Sequence, residues 1–412
     1  MFTEITPRSP QTPDLLDGAL DVAGAVATTI TDTVQAVHRA VAATPFQLLA
    51  ALPGLPEIRR THDEIADGVY AVVRESTRQA TRGARWLARQ RPPPTQALST
   101  QRDLAIGALN GAFGNHLVAR GNGLAQGMAW AHHDAPLATD PATLRAALPQ
   151  ASGRVAVFIH GLCCTESVWQ FYRDDNDGLD YPQRLRGEGW TPLLLRYNSG
   201  LRIADNGQTL SDRLTELLSA YPAPIQELAL IGHSMGGLVA RSAVHSATRQ
   251  QAPWLACLRQ VICLGSPHRG APLEKVGWAA TALLGMTPYT RPFAGLARAR
   301  SAGIKDLRHG YVAPADGADA DLDHQWGPPA QACERPAHVR IGFIGSVLGP
   351  RLDSALAYVV GDGLVRLDSA TARQLADADV AAVSGRHHLR LLNDPQVYAQ
   401  IRAWLQPQAD NA

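Results

Sequence analysis

The chain has 412 residues, 45% hydrophobic and 18% charged, with a formal net charge of +1. A field this close to neutral gives no reason to expect a nucleic-acid partner, and the ordinary apolar content excludes general disorder. The five cysteines, Cys163, Cys164, Cys257, Cys263 and Cys333, are odd in number and irregularly spaced, which argues against a disulfide framework and against a metal-type Cys/His cluster.

The opening residues, MFTEITPRSPQTPDLLDG, lack the basic segment and apolar core of a secretory signal. No apolar run reaches the about 18 residues of a membrane-spanning helix, so a cytoplasmic location is expected. From Asp14 to about Ala43, Val22, Val26, Ile30, Val34, Val37 and Val41 recur at helical spacing. A second helix is predicted over about 57–90. It carries Ile65, Val69, Val72, Val73 and Leu87 on one side and a row of arginines, Arg74, Arg78, Arg82, Arg85 and Arg89. Two readings fit: the valines pack inward and the arginines are solvated, or the arginines give a peripheral contact with anionic lipid headgroups. Packing is the preferred expectation, because stripes on successive helices can bury one another.

Arg91-Pro92-Pro93-Pro94 reads as a linker. Residues 1–95 are therefore predicted to be a helical extension and 96–412 the main domain. A third helix is expected over Thr100–Ala119, then a β-like piece at Met128–Ala131 and a short helix near Ala142–Leu148. Beyond Arg154, short apolar strands follow at Val155–Ile159, Leu193–Arg196, Leu228–Ile231, Val261–Leu264 and Arg340–Ile344, with helix-length segments between most of them. That alternation predicts an α/β domain with a mainly parallel sheet flanked by helices. The stretch from about 274 to 335 breaks the rhythm with an apolar helical piece, Val276–Met286, and loops rich in Pro, Gly and Asp. It is read as a lid-like insertion.

Gly232-His233-Ser234-Met235-Gly236 lies between the apolar run Leu228–Ile231 and the helix-like run Gly237–Val244. Alone the pattern Gly-x-Ser-x-Gly is weak evidence. Between a strand and a helix it becomes a nucleophile elbow, with glycines relieving a tight turn and the serine projecting from it. Upstream, Val157-Phe158-Ile159 runs into His160-Gly161-Leu162. The backbone N–H groups of Leu162 and Met235 are the expected oxyanion donors, and Gly161 permits close approach of the acyl carbonyl. Downstream, Gly265-Ser266-Pro267-His268-Arg269-Gly270 closes the next strand. His160 and His268 read as structural, because the base of this arrangement follows the acid. Asp362, in the turn Gly361-Asp362-Gly363, is the acid candidate, ahead of Asp353, Asp368 and Asp377. The base candidates are His387 and His388, just before a final helix over about Asp394–Leu405. Serine, acid and histidine then stand in the order this chemistry uses.

Together these motifs, with Gly361-Asp362-Gly363-Leu364-Val365 and His388-Leu389, resemble bacterial lipases and esterases of the α/β-hydrolase superfamily, in the triacylglycerol lipase and phosphatidylinositol-deacylase-like branch. The resemblance spans roughly residues 150 to 405. It implies an α/β-hydrolase fold, Asp362 as the acid in an Asp-Gly-Leu-Val turn, and His388 rather than His387 as the base. Arg390 stands where such lipases carry an aspartate, which argues against a calcium site. The expected activity is serine carboxylic-ester hydrolysis through Ser234, His388 and Asp362, on a small-molecule ester or lipid with an apolar acyl chain and without a cofactor. Gly161, His233, Trp278 and Leu283 are the expected substrate-binding residues. A thioesterase or acyltransferase could use the same machinery; a reading of another class is an inactive membrane-associated scaffold.

Overall fold

The computed structural model describes residues 17–25, 27, 28, 32, 35, 55–89, 100–132, 135–271, 301–314, 333–353, 361–372 and 377–406. The chain divides into two compact units, one of Met1–Ala97 with Leu117–Ala125 and one of Leu98–His116 with Gln126–Ala412.

The first unit contains helical residues 17–25 and helix α1 (Leu55–Arg89). The expectation of a buried valine stripe fails here. Val69 is 55% exposed and Val72 66% exposed, with Val73 and Trp86 also exposed. Among the described residues, α1 meets the preceding helical residues through polar side chains. Arg85 bonds Asp17 at 2.8 Å and Asp21 at 2.5 Å, and Arg74 reaches Asp32 at 3.1 Å. Gln35 donates to Asp67 at 2.8 Å. Helical spacing produces a stripe, but partner choice went to opposite charges on facing helices.

Helix α2 (Thr100–Ala119) belongs to the second unit up to His116, and within that unit β1 (Ala129–His132), β2 (Ala135–Leu137) and α3 (Pro141–Ala147) follow. The series continues through β3 (Arg154–Ile159), α4 (Tyr181–Gly187), β4 (Thr191–Arg196), α5 (Ile203–Ala220), β5 (Glu227–His233) and α6 (Met235–Gln250). It closes with β6 (Leu258–Leu264), α7 (Ala302–His309), β7 (Arg340–Val347), α8 (Leu367–Thr371), β8 (Asp379–Ser384) and α9 (Pro395–Leu405). The strands form an eight-stranded sheet in the order β2-β1-β4-β3-β5-β6-β7-β8. β1 pairs antiparallel with β2 and β4; the other neighbours are parallel. This is the α/β-hydrolase fold.

The central strands are largely apolar because both faces are covered. Val155, Val157 and Ile159 of β3 and Leu228 and Leu230 of β5 join one cluster, with Leu210 and Leu214 of α5 and Leu238 and Val239 of α6. The alternate residues, Ala156, Phe158, Ala229 and Ile231, join the cluster on the other face with Trp169, Leu185, Val397 and Ile401. Period-two alternation thus splits one apolar run between two cores. Cys257 and Cys263 are both buried in the first cluster.

Two strands went unpredicted. β8 is rich in alanine, a poor strand former, and lies at the sheet edge with Val380 exposed. β2 has three residues and contains Pro136, which an edge strand tolerates. Most of the predicted insertion lies outside the described residues; within it α7 is a helix capped by Ser301. Among the described residues no helix is long and apolar enough to cross a membrane.

Candidate active site

The site is built where β5 ends. Ser234 takes φ 54° and ψ −123°, a conformation costly for a residue with a Cβ, and α6 starts at Met235. The surrounding backbone enforces this. Ser234 N donates to Leu264 O at 2.8 Å and Gly237 N to Ser234 O at 3.1 Å. A Cβ on Gly232 would lie 2.3 Å from Gly237 N, and one on Gly236 would lie 2.2 Å from Ile159 O. Both contacts are with backbone, so neither position admits a side chain.

The loop after β3 lies against the serine: a Cβ on Gly161 would sit 3.1 Å from Ser234 Cβ. Among the described residues no hydrogen bond engages the amide of Leu162 or of Met235, whereas the next amide, Cys163 N, is held by Ser199 Oγ at 3.0 Å. The Met235 amide stands at the N-terminus of α6.

Asp362 is 1% exposed, in a turn that begins at Gly361 with φ 62°. Its Oδ1 accepts from Leu364 N at 2.9 Å and Val365 N at 2.8 Å. Its Oδ2 lies 2.8 Å from His388 Nδ1, and its carbonyl takes His388 N at 3.1 Å. Burial pushes this carboxyl up, but the adjacent His388 ring, the hydrogen bond to it and the two amides outweigh burial and hold it below the usual carboxylate range. An ionised carboxylate only accepts, so Nδ1 carries the proton and Nε2 of the neutral ring keeps its lone pair.

The rival acids are engaged elsewhere. Asp353 pairs with Arg351 at 2.8 Å, Asp368 with Arg269 at 3.3 Å, and Asp377 with Arg335. His387 points toward Tyr172, with ring centroids 5.9 Å apart. Arg390 pairs with Asp175, and its guanidinium lies 4.7 Å from the centroid of the Tyr172 ring. Among the described residues no group of three or more His, Cys, Asp or Glu could hold a metal ion.

His233, expected to bind substrate, is 1% exposed. Its Nε2 lies 3.2 Å from the His388 carbonyl, and its ring stands between those of Trp169 and His388. It is a buried ring packed against the base. Burial, reinforced by His388, lowers its pKa to about 3. His160 is likewise buried, stacks on Tyr197 at 4.3 Å and is lowered by burial to about 3. His268 meets the buried Arg241 at 2.9 Å. Trp278 and Leu283 lie outside the described residues.

One contributor had no sequence signal. Asn393, at φ 57°, donates to Trp169 O at 2.6 Å and Phe171 O at 2.7 Å and accepts from Tyr181 N at 2.8 Å. It ties the segment after His388 to the loop after β3 through contacts that no local pattern announces.

A family model described as the PGAP1-like alpha/beta domain matches residues 196–286, from the end of β4 through the elbow and β6. Among curated proteins no sequence matches the chain. Among solved structures the chain is similar to a Bacillus licheniformis lipase in its mature form, at 19% identity and TM-score 0.41, over 62% of this chain and 92% of that one. It is also similar to a Pyrococcus furiosus esterase at 13% identity and TM-score 0.36, over 62% and 82% of the two chains. A Thermogutta terrifontis esterase matches at 14% identity and TM-score 0.33, over 62% and 90%.

Proposed function

We propose that the chain is a serine carboxylic-ester hydrolase of lipase or esterase type, acting through an acyl-enzyme intermediate on an ester with an apolar acyl group. The observation that carries this reading is the 2.8 Å bond from His388 Nδ1 to the buried Asp362 carboxylate, in a chain whose Ser234 is held at φ 54° at the end of β5. In this reading Ser234 Oγ attacks the ester carbonyl while His388 Nε2 takes its proton. Asp362 keeps the ring in the required tautomer and stabilises the imidazolium. The N–H groups of Leu162 and Met235 receive the negative charge that develops on the carbonyl oxygen. His388 then passes its proton to the leaving alkoxide, and water activated by the same ring hydrolyses the acyl-enzyme.

A series of nitrophenyl esters of increasing acyl length tests the reading. Wild type should hydrolyse them and bind a fluorophosphonate probe covalently. Ser234→Ala should stay folded, lose the label and lose on the order of 10³-fold or more in rate. A Ser234→Ala protein that keeps half its activity overturns the assignment, and a folded wild type that neither hydrolyses nor labels favours a non-catalytic scaffold.

A further inference from the structure

Helix α2 belongs to none of the motifs above, yet its backbone lies directly on the loop that carries Leu162. Three glycines make this approach. A Cβ on Gly107 would fall 2.8 Å from the carbonyl carbon and oxygen of Cys164. One on Gly111 would fall 2.5 Å from both N and Cα of Cys163. One on Gly114 would collide with the Asn198 side chain at 1.9 Å, and across the seam a Cβ on Gly200 would lie 2.1 Å from Asn110 O. The helix therefore meets the loop after β3 and the turn after β4 with no side chain of its own at Gly107, Gly111 and Gly114.

A second set of contacts pins the same loop. The buried Asp103 on α2 accepts from Thr165 Oγ1 at 2.5 Å, from Ser167 Oγ at 3.1 Å and from Arg196 Nη2 at 2.7 Å. Arg196, at the end of β4, also holds Glu166 through Nε at 2.8 and 3.0 Å. Between these anchors Cys163 adopts φ 60°. A left-handed residue bearing a side chain persists only where its surroundings over-determine it. Cys163 immediately follows Leu162, so whatever holds Cys163 also sets the direction of the Leu162 amide.

We propose that α2 is the positioning element of the oxyanion loop, with Gly111 and Asp103 as positioning residues that aim the Leu162 N–H at the reacting carbonyl. This rests on the reading of Ser234 and Leu162 given above. Gly111→Ala forces the Cys163 backbone to move, since its N and Cα would lie 2.5 Å from the new Cβ and yielding of the Sγ alone would not relieve them. Misplacing one oxyanion donor should lower kcat for a nitrophenyl ester by about 10- to 100-fold with KM little changed.

A purely structural role would not separate two chemistries at the same nucleophile. In a Ser234→Cys background, iodoacetamide alkylates the sulfur: the C–S bond forms, iodide leaves, and His388 keeps the thiol proton. No oxyanion is built in that step. The expected result is an alkylation rate within about twofold with or without Gly111→Ala, against the large loss of ester hydrolysis measured with Ser234 in place. Equal losses in both reactions, or hydrolysis unchanged by Gly111→Ala, overturn the proposal. Asp103→Asn covers the case in which Gly111→Ala does not fold. It keeps the shape of the side chain and should lower kcat by several-fold with KM and alkylation unchanged, with recovery in Asp103→Glu; an Asp103→Asn protein of full activity also overturns it. If wild type itself neither hydrolyses esters nor labels, the underlying reading fails; if wild type is competent and these variants are too, the positioning role alone fails.

Discussion

The two units of the chain bury opposite kinds of surface. In the sheet unit, valine, leucine and isoleucine point into two cores and charges are confined to anchored clusters such as Asp103–Arg196–Glu166. In the first unit the described helical residues meet through Arg85, Arg74, Asp17, Asp21 and Asp32, and the valines of α1 face outward. The sheet unit is held by burial of apolar area, which is non-directional and cumulative. Among the described residues the helical contacts of the first unit include charge-assisted bonds, whose net contribution shrinks with solvent exposure and salt. The teaching is that an amphipathic period does not say which side will be covered.

The contrast can be broken at several points. All the candidate site residues that are described lie in the sheet unit, so the largest effects belong there. His388→Ala should cost on the order of 10³-fold in kcat/KM, whereas His387→Ala, which removes only a ring facing Tyr172, should be much milder. The reverse ranking in steady-state kinetics moves the base to His387.

Acid should unfold the sheet unit through its buried imidazoles. His160 and His233 are held neutral by burial, with pKa values lowered to about 3 in the fold. The unfolded chain takes up these protons near pH 6.5, so it binds more protons than the native state below that pH. Stability from these groups is complete above about 6.5 and falls as pH drops from there toward 3, by about 2 kcal/mol per histidine at pH 5. The depressed Asp362 carboxyl adds to the loss only further down, below the usual carboxylate range. Denaturant titrations at pH 7 and 5 measure this. Equal midpoints would mean that the rings are not held neutral in the fold.

Arg85→Ala should cost about 1 kcal/mol or somewhat more locally, because the Asp17 carboxylate it leaves is largely buried. Hydrogen exchange over residues 55–89 should accelerate, as it should in wild type at high salt, with ester hydrolysis unaffected. A fall in core stability equal to the local change would contradict the electrostatic account of this unit. The smallest effect is expected at Val72, which is 66% exposed. Val72→Ser should change stability by less than about 0.5 kcal/mol. The alternative reading of the arginine row, a peripheral contact with anionic lipid, is tested on the other side of α1: binding to anionic but not zwitterionic vesicles that Arg78→Glu with Arg82→Glu abolishes supports it, while no binding to any vesicle removes it.

Legibility followed the range of the interactions. The elbow was readable because its constraint is local: the backbone around Gly232 and Gly236 leaves no room for a Cβ, so a pentapeptide records it. The apolar runs of β3 to β7 were readable because strands covered on both faces need no polar positions. β8 was not, since its alanines carry no strand signal and its pairing is supplied by β7. The packing of His233 against Trp169 and His388 was not readable, because motif position does not reveal which distant rings a side chain meets.

By itself the sequence determined the periodic and the local: an alternating α/β order, helices at their spacing, a serine between two glycines, and the order of serine, acid and histidine. Only the tertiary structure decided which distant groups meet. Asp362 and His388 are 26 residues apart, Asp103 and Thr165 62 apart, and Arg85 and Asp17 68 apart. The physical reason is that periodicity and turn sterics act over a few residues, whereas these pairings come from burial, charge and close backbone approach between segments that the packed chain alone brings together.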